Sequence, residues 1–156
     1  MVSYEGIFFE GESKKKILSH EKIHLPIIND ELHCTFVYHP KEEELWDELV
    51  GKEFEIQLVG YACNGKNSGF QISIPEELTK YYKNTDSEKE YELKTPHITT
   101  SVTKDSKPYF TKDLNFIPLE KPIPIKGKFG YWEKDENGKE YVTYLRKNKN
   151  WIKNML

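Results

Sequence analysis

The sequence predicts an α+β domain dominated by antiparallel strands, and three observations carry that expectation. Short runs rich in aromatic and β-branched residues recur along the chain, several of them alternating apolar and polar side chains with period two. Turn chemistry stands between neighbouring runs, most plainly at Asn64-Gly65 and Asn137-Gly138. Helical spacing of apolar residues is confined to a few short stretches.

The segment from Tyr4 to Glu10, aromatic and bounded by Gly11, reads as a strand. Residues 12–31 are ambiguous, a helical turn followed by loop through Pro26. Leu32 to Tyr38 is a clearer strand, stopped by Pro40. Glu42 to Val50 reads as a helix, with Leu45, Trp46, Leu49 and Val50 forming a stripe that Gly51 closes. Phe54 to Val59 and Phe70 to Ile74 alternate around a polar loop and predict a hairpin. Pro75 with two acidic residues after it predicts a helix reaching about Lys83. Pro96 to Val102 is another β-rich run, and a short helix is expected near Tyr109 to Leu114. Ile123 to Trp132 and Tyr141 to Leu145 flank the second hairpin turn, and the basic stretch Arg146 to Leu156 ends in a short helix. No low-complexity linker interrupts the chain, so residues 1–156 are read as a single domain.

Composition bounds the function. At 156 residues, with 37% apolar and 13% aromatic content, the chain is long enough to build one core. A formal charge of -3 argues against a protein that coats long duplex nucleic acid, while leaving room for a small anion in a local basic cleft. Cys34 and Cys63 belong to no CxxC pair, so neither a disulfide framework nor a zinc knuckle is expected. Glu5 and Glu10 interrupt the opening segment, which has no basic leader, and no run approaches the ~18 apolar residues of a membrane span. These features predict a cytoplasmic protein with no membrane partner; its oligomeric state is not legible.

Two tripeptides share one form, His33-Cys34-Thr35 and His97-Ile98-Thr99, each inside a predicted strand. Residues two apart in a strand project from one face, so each histidine stands beside its threonine. Leu32, Cys34 and Phe36 would then point to the core, and so would Ile98. Phosphodiester hydrolysis needs one group to take a proton from the nucleophile and another to protonate the leaving oxygen. Two imidazoles of ordinary pKa ~6.5 suit both tasks near neutral pH. Two threonine hydroxyls suit the non-bridging oxygens. Such a site has pseudo-twofold character and calls for no metal and no cofactor.

The stretches Leu32-His-Cys-Thr-Phe36 and Pro96-His-Ile-Thr-Thr100, with the early strand Tyr4 to Phe9, resemble the LigT-like 2H phosphoesterases. The resemblance runs from about residue 4 to 145. It implies a two-lobed, pseudo-twofold α+β fold whose antiparallel sheets line a central cleft. It further implies action on 2′,3′-cyclic phosphates, 2′,5′-oligoadenylates or cyclic nucleotide signals. Size and motif spacing look closest to the phage anti-CBASS nucleases that cleave cyclic oligonucleotides, which would place a phage-encoded copy in the host cytoplasm. On this reading His33, Thr35, His97 and Thr99 are catalytic, and Tyr4 and Trp132 are base-stacking residues. Cys34 departs from the usual aliphatic residue and is expected to affect packing alone.

Other readings stay open: RNA-repair-like hydrolysis of 2′,3′-cyclic phosphate ends, or a module that sequesters a nucleotide without cutting it. His20 and His24 share helical spacing, yet no acidic residue falls at a familiar metal spacing beside them. His39 is expected in solvent. Lys14 to Lys16 read as a solvated face, and Thr100, Ser101 and Thr103 as ordinary strand residues.

Overall fold

Period-two alternation takes physical form as eight strands and one α-helix in a computed structural model that describes residues 1–82 and 94–144. Residues 83–93 and the expected terminal helix within Arg146 to Leu156 lie outside the described residues. In chain order the elements are β1 (Val2–Phe9), α1 (Gly11–His20), β2 (Ile27–Ile28), β3 (Leu32–Tyr38), β4 (Glu53–Cys63), β5 (Asn67–Ser73), β6 (His97–Val102), β7 (Ile117–Lys134) and β8 (Glu140–Thr143).

All pairings are antiparallel, and the strands form one path ordered β2-β6-β5-β4-β7-β1-β3, with β8 paired to β7. Strand β7 is the seam, pairing β4 along its first part and β1 along its second. The path curls, so that β3 at one end packs against β6 near the other with no ladder between them. One face of β1, β3, β4, β5, β6 and β7 makes the core: Ile7 and Phe9, Leu32, Cys34 and Phe36, Ile56 and Leu58, Phe70, Ile98 and Phe129 are all fully buried. Full burial of each such side chain contributes roughly 1.5–3 kcal/mol before chain entropy is counted.

Three expectations are corrected. Glu42 to Val50 is not an α-helix; a 3-10 turn over Glu42–Glu44 gives way to tight turns. A helix there would stack Glu43 on Asp47 and Glu44 on Glu48, like charges four residues apart. Instead the Trp46 amide donates to the carboxylate of buried Glu5, 3.0 Å away, so it is lost to any helical ladder. The segment after Pro75 is likewise a 3-10 helix, Glu76–Tyr81, which buries Leu78. Residues 12–31, in contrast, open with a ten-residue α-helix rather than a single turn, seated by the fully buried Ile17. The expected short helix near Tyr109 is a 3-10 helix over Pro108–Asp113. No helix among the described residues is long and apolar enough to cross a membrane.

Candidate active site

His33 and His97 occupy β3 and β6, the two strands that the curl brings together. Each ring is oriented by the same device. Nδ1 of His33 lies 2.8 Å from the carbonyl of Glu31, and Nδ1 of His97 lies 2.8 Å from the carbonyl of Thr95. A carbonyl only accepts, so each Nδ1 carries the proton. Nε2 of each ring is thereby left to accept or donate a catalytic proton, the tautomer an acid–base pair requires.

The backbone around the two motifs matches as well. Thr35 stands opposite Gly6 in β1, and Thr99 stands opposite Gly69 in β5. Beyond each threonine the register slips by one residue, leaving Phe36 in β3 and Thr100 in β6 as bulges. A Cβ on Gly6 would come within 2.0 Å of the Cys34 carbonyl oxygen, and one on Gly69 within 2.4 Å of the Ile98 carbonyl oxygen. Cys34 and Ile98 are the middle residues of the two tripeptides, so both glycines serve the same close approach.

Burial makes both imidazoles harder to protonate. Loss of hydration pulls His33 down to about 4, the Glu31 carbonyl opposes that shift, and the nearby His97 adds to it. His97 is lowered by burial too, with the ammonium of Lys112 pushing the same way and the Thr95 carbonyl and Asp113 opposing. Cys34 is fully buried in the core, its thiol pushed up to about 12 by burial with the backbone of His97 opposing, and its sulfur lies 3.9 Å from the Thr35 carbonyl.

The threonines are both buried but differently engaged. Burial raises the pKa of the Tyr38 hydroxyl, and the neighbouring Thr35 side chain opposes that rise. Thr99 donates to the Pro108 carbonyl at 3.0 Å or to the Thr111 hydroxyl at 2.8 Å, and binding a phosphate means exchanging that bond. Tyr4 and Trp132 both reach a cavity of about 620 Å3 that His33 also lines. Their rings lie side by side on neighbouring strands, centroids 5.9 Å apart and 9° from parallel, rather than on opposite sides of a slot. Tyr4 also stacks on His33 at 4.6 Å, so it supports the histidine as much as it offers a surface to a ligand. A second cavity of about 550 Å3 lies against Thr95 and Pro96, the residues that lead into His97.

Sequence reasoning missed Tyr38, Tyr109 and Lys112. On an unbroken strand Tyr38 would share the core face of Leu32, Cys34 and Phe36; the bulge turns it into the cavity beside Tyr4. Tyr109 meets Tyr38 edge-on at 5.9 Å, and Lys112 sits over the Tyr109 ring. Gly6 and Gly69 were findable, because a glycine inside an otherwise apolar strand marks a bulge or a close backbone approach. Thr100 and Ser101 are not ordinary strand residues: both hydroxyls donate to the buried Glu21 carboxylate, which also meets His24 at 2.5 Å. His39 is exposed with φ 47°, and Lys14 and Lys16 donate to the carbonyls of Asp30 and Pro124. Among the described residues no three His, Cys, Asp or Glu side chains are grouped to hold a metal.

No family model matches the chain, and neither does any curated protein.

Proposed function

We propose that the protein is a metal-independent phosphodiesterase of the 2H type, in which His33 and His97 are the acid–base pair. The observation that carries this reading is the repeated unit itself. Each tripeptide presents a histidine held at Nδ1 by the carbonyl two residues upstream, a threonine opposite a glycine, and a bulge immediately after. Two such units on strands that pack together support an acid–base pair of the 2H kind.

In the reaction, Nε2 of one imidazole takes a proton from water as its oxygen attacks phosphorus. Nε2 of the other donates a proton to the leaving oxygen as the P–O bond breaks. Thr35 and Thr99 donate to the non-bridging oxygens. The substrate we favour is a cyclic oligonucleotide cut at a 3′,5′ bond. An internal bond carries a nucleoside on each side; one cavity is lined by His33, and a second lies against Thr95 and Pro96, which precede His97. Tyr4 and Trp132 offer a flat apolar surface for a base in the larger one.

The test is incubation, with EDTA present, against cyclic dinucleotides, cyclic trinucleotides, 2′,5′-oligoadenylate and RNA ending in a 2′,3′-cyclic phosphate. Cleavage of a cyclic oligonucleotide is expected. Cleavage of the RNA ends alone would move the protein to the repair class, and tight binding without cleavage would make it a sequestering module. Activity lost on chelation and restored by zinc or manganese would end the metal-independent mechanism.

A further inference from the structure

A phosphodiester arrives negatively charged, and its non-bridging oxygens hold that charge through the transition state. The protonated imidazole of the acid counters part of it, and the walls of the larger cavity set one ammonium, Lys107, against the carboxylates of Asp30, Glu31 and Glu140. A further cation near the reacting phosphate would offset that excess of carboxylates.

Lys112 has the placement for it. Its side chain is 13% exposed, against 65% for Lys66, 67% for Lys126 and 79% for Lys15 in their own ion pairs. The ammonium is held 3.0 and 3.2 Å from the two carboxylate oxygens of Asp113 and 4.8 Å over the ring of Tyr109. Asp113 also binds Lys94 at 2.8 Å, so two ammonium groups share one carboxylate and a net positive charge remains. The 3-10 helix that carries Lys112 is bonded directly to the second motif, through Thr99 to Pro108 and Thr111. Asn67 of β5 fastens the same helix, reaching Thr111 at 3.0 Å and the Lys107 carbonyl at 2.8 Å. Tyr109, under the ammonium, lines the cavity that His33 lines.

We propose that Lys112 is a further catalytic residue, its ammonium binding a non-bridging phosphate oxygen on the His97 side of the cleft. The assignment rests on the phosphodiesterase reading. Lys112 then has two effects. It stabilises transition-state charge, and it makes His97 harder to protonate, which favours its service as the base. The other titratable or charged groups near His97 are Asp113 on the same helix, Lys94 ahead of β6, and His33 and Cys34 on β3.

The experiment compares wild type, Lys112→Met, Lys112→Arg and Lys66→Met on whichever nucleotide of the panel wild type cleaves, as pH profiles of kcat and kcat/KM alongside thermal melts. Loss of one preorganised charge partner costs roughly 10²–10³-fold in kcat, and that is expected for Lys112→Met. The acid limb of the profile should move upward in that variant, because the charge opposing protonation of His97 is gone. Lys112→Arg should restore most of the rate, and Lys66→Met should match wild type. A folded Lys112→Met with wild-type kcat and an unmoved limb would overturn the assignment while leaving the phosphodiesterase reading intact. So would a loss that arginine does not rescue and that leaves the profile unmoved, since that pattern marks a structural role. If wild type cleaves no member of the panel, the phosphodiesterase reading falls and this proposal falls with it.

Discussion

At the residue scale the proposed chemistry rests on two nitrogens. With each Nδ1 committed to a backbone carbonyl, proton transfer has only Nε2 to use. Replacing either His33 or His97 by Ala should therefore lower turnover by on the order of 10²–10⁴-fold while the fold survives. Single mutants that keep near wild-type rates would remove the acid–base assignment. The pH dependence follows from the direction of the shifts. Both histidines are lowered from 6.5, His33 to about 4, so the free enzyme gives up its last catalytic proton at acid pH. The bell in kcat/KM should accordingly peak below pH 6.5, the ordinary histidine value. A bound phosphate favours the protonated imidazole, so the bell in kcat should sit at higher pH. The two apparent values belong to the pair, since the rings influence one another. Rates from about pH 4 to 9 check this; a kcat/KM optimum on the alkaline side, with chemistry rate-limiting, would contradict it.

At the element scale the device is a strand, a bulge and a glycine, used twice. Parity along β3 puts His33 and Thr35 on one face, and the bulge at Phe36 brings Tyr38 into the cavity that His33 lines. In β6 the bulge at Thr100 lets its hydroxyl and that of Ser101 both reach Glu21, which locks the turn in place. The glycines permit the strands to close over these bulges. Gly69→Ala would drive a Cβ to 2.4 Å from the Ile98 carbonyl oxygen and 2.7 Å from the Thr111 methyl. Backbone atoms cannot swing aside as a side-chain end can, so β5 and β6 must part locally. A loss of roughly 1–3 kcal/mol in stability is expected, with activity falling further because His97 and Thr99 lie on the displaced strand. Denaturant melts and turnover on the same sample measure both. An alanine variant with wild-type stability and rate would show that the close approach is dispensable.

For the whole molecule, the least expected feature is a carboxyl group in the core. Glu5 is fully buried, opposite Tyr131 and Val37, and burial pushes it up to about 8, with Glu44, Asp47 and Glu48 adding to the rise and the Trp46 amide opposing it. Tyr131 donates to Asp47 beside it at 2.5 Å. The native state therefore holds this proton more tightly than the unfolded chain, whose carboxyl titrates near 4.5. Its contribution is fully present below about 4.5 and is lost as pH rises toward about 8, at up to ~1.4 kcal/mol per pH unit. Glu5→Gln keeps the shape and an acceptor for Trp46 without the titration. It should match wild type near the lower limit, exceed it increasingly toward the upper one, and flatten the stability–pH curve between. Parallel curves for the two proteins would show that Glu5 is ionised in the fold.

Local rules reach as far as patterns that repeat within a few residues. The strand character of β1, β3, β4, β5 and β6, the hairpin at Asn64-Gly65 and the pairing of each histidine with its threonine were legible, because alternation depends on neighbours alone. The helix expected at Glu42 to Val50 failed because a distant carboxylate, Glu5, claimed the Trp46 amide. Tyr38 was hidden because a bulge reverses parity, and a bulge is decided by the partner strand. Lys112 looked like any surface lysine until the 3-10 helix laid it over the Tyr109 ring, 13% exposed and within electrostatic reach of His97. The sequence by itself determined the chemical groups and the faces on which they stand. Only the tertiary structure decided which of them share a cleft, because the curl that sets β3 against β6 is a property of the whole sheet and of no single strand.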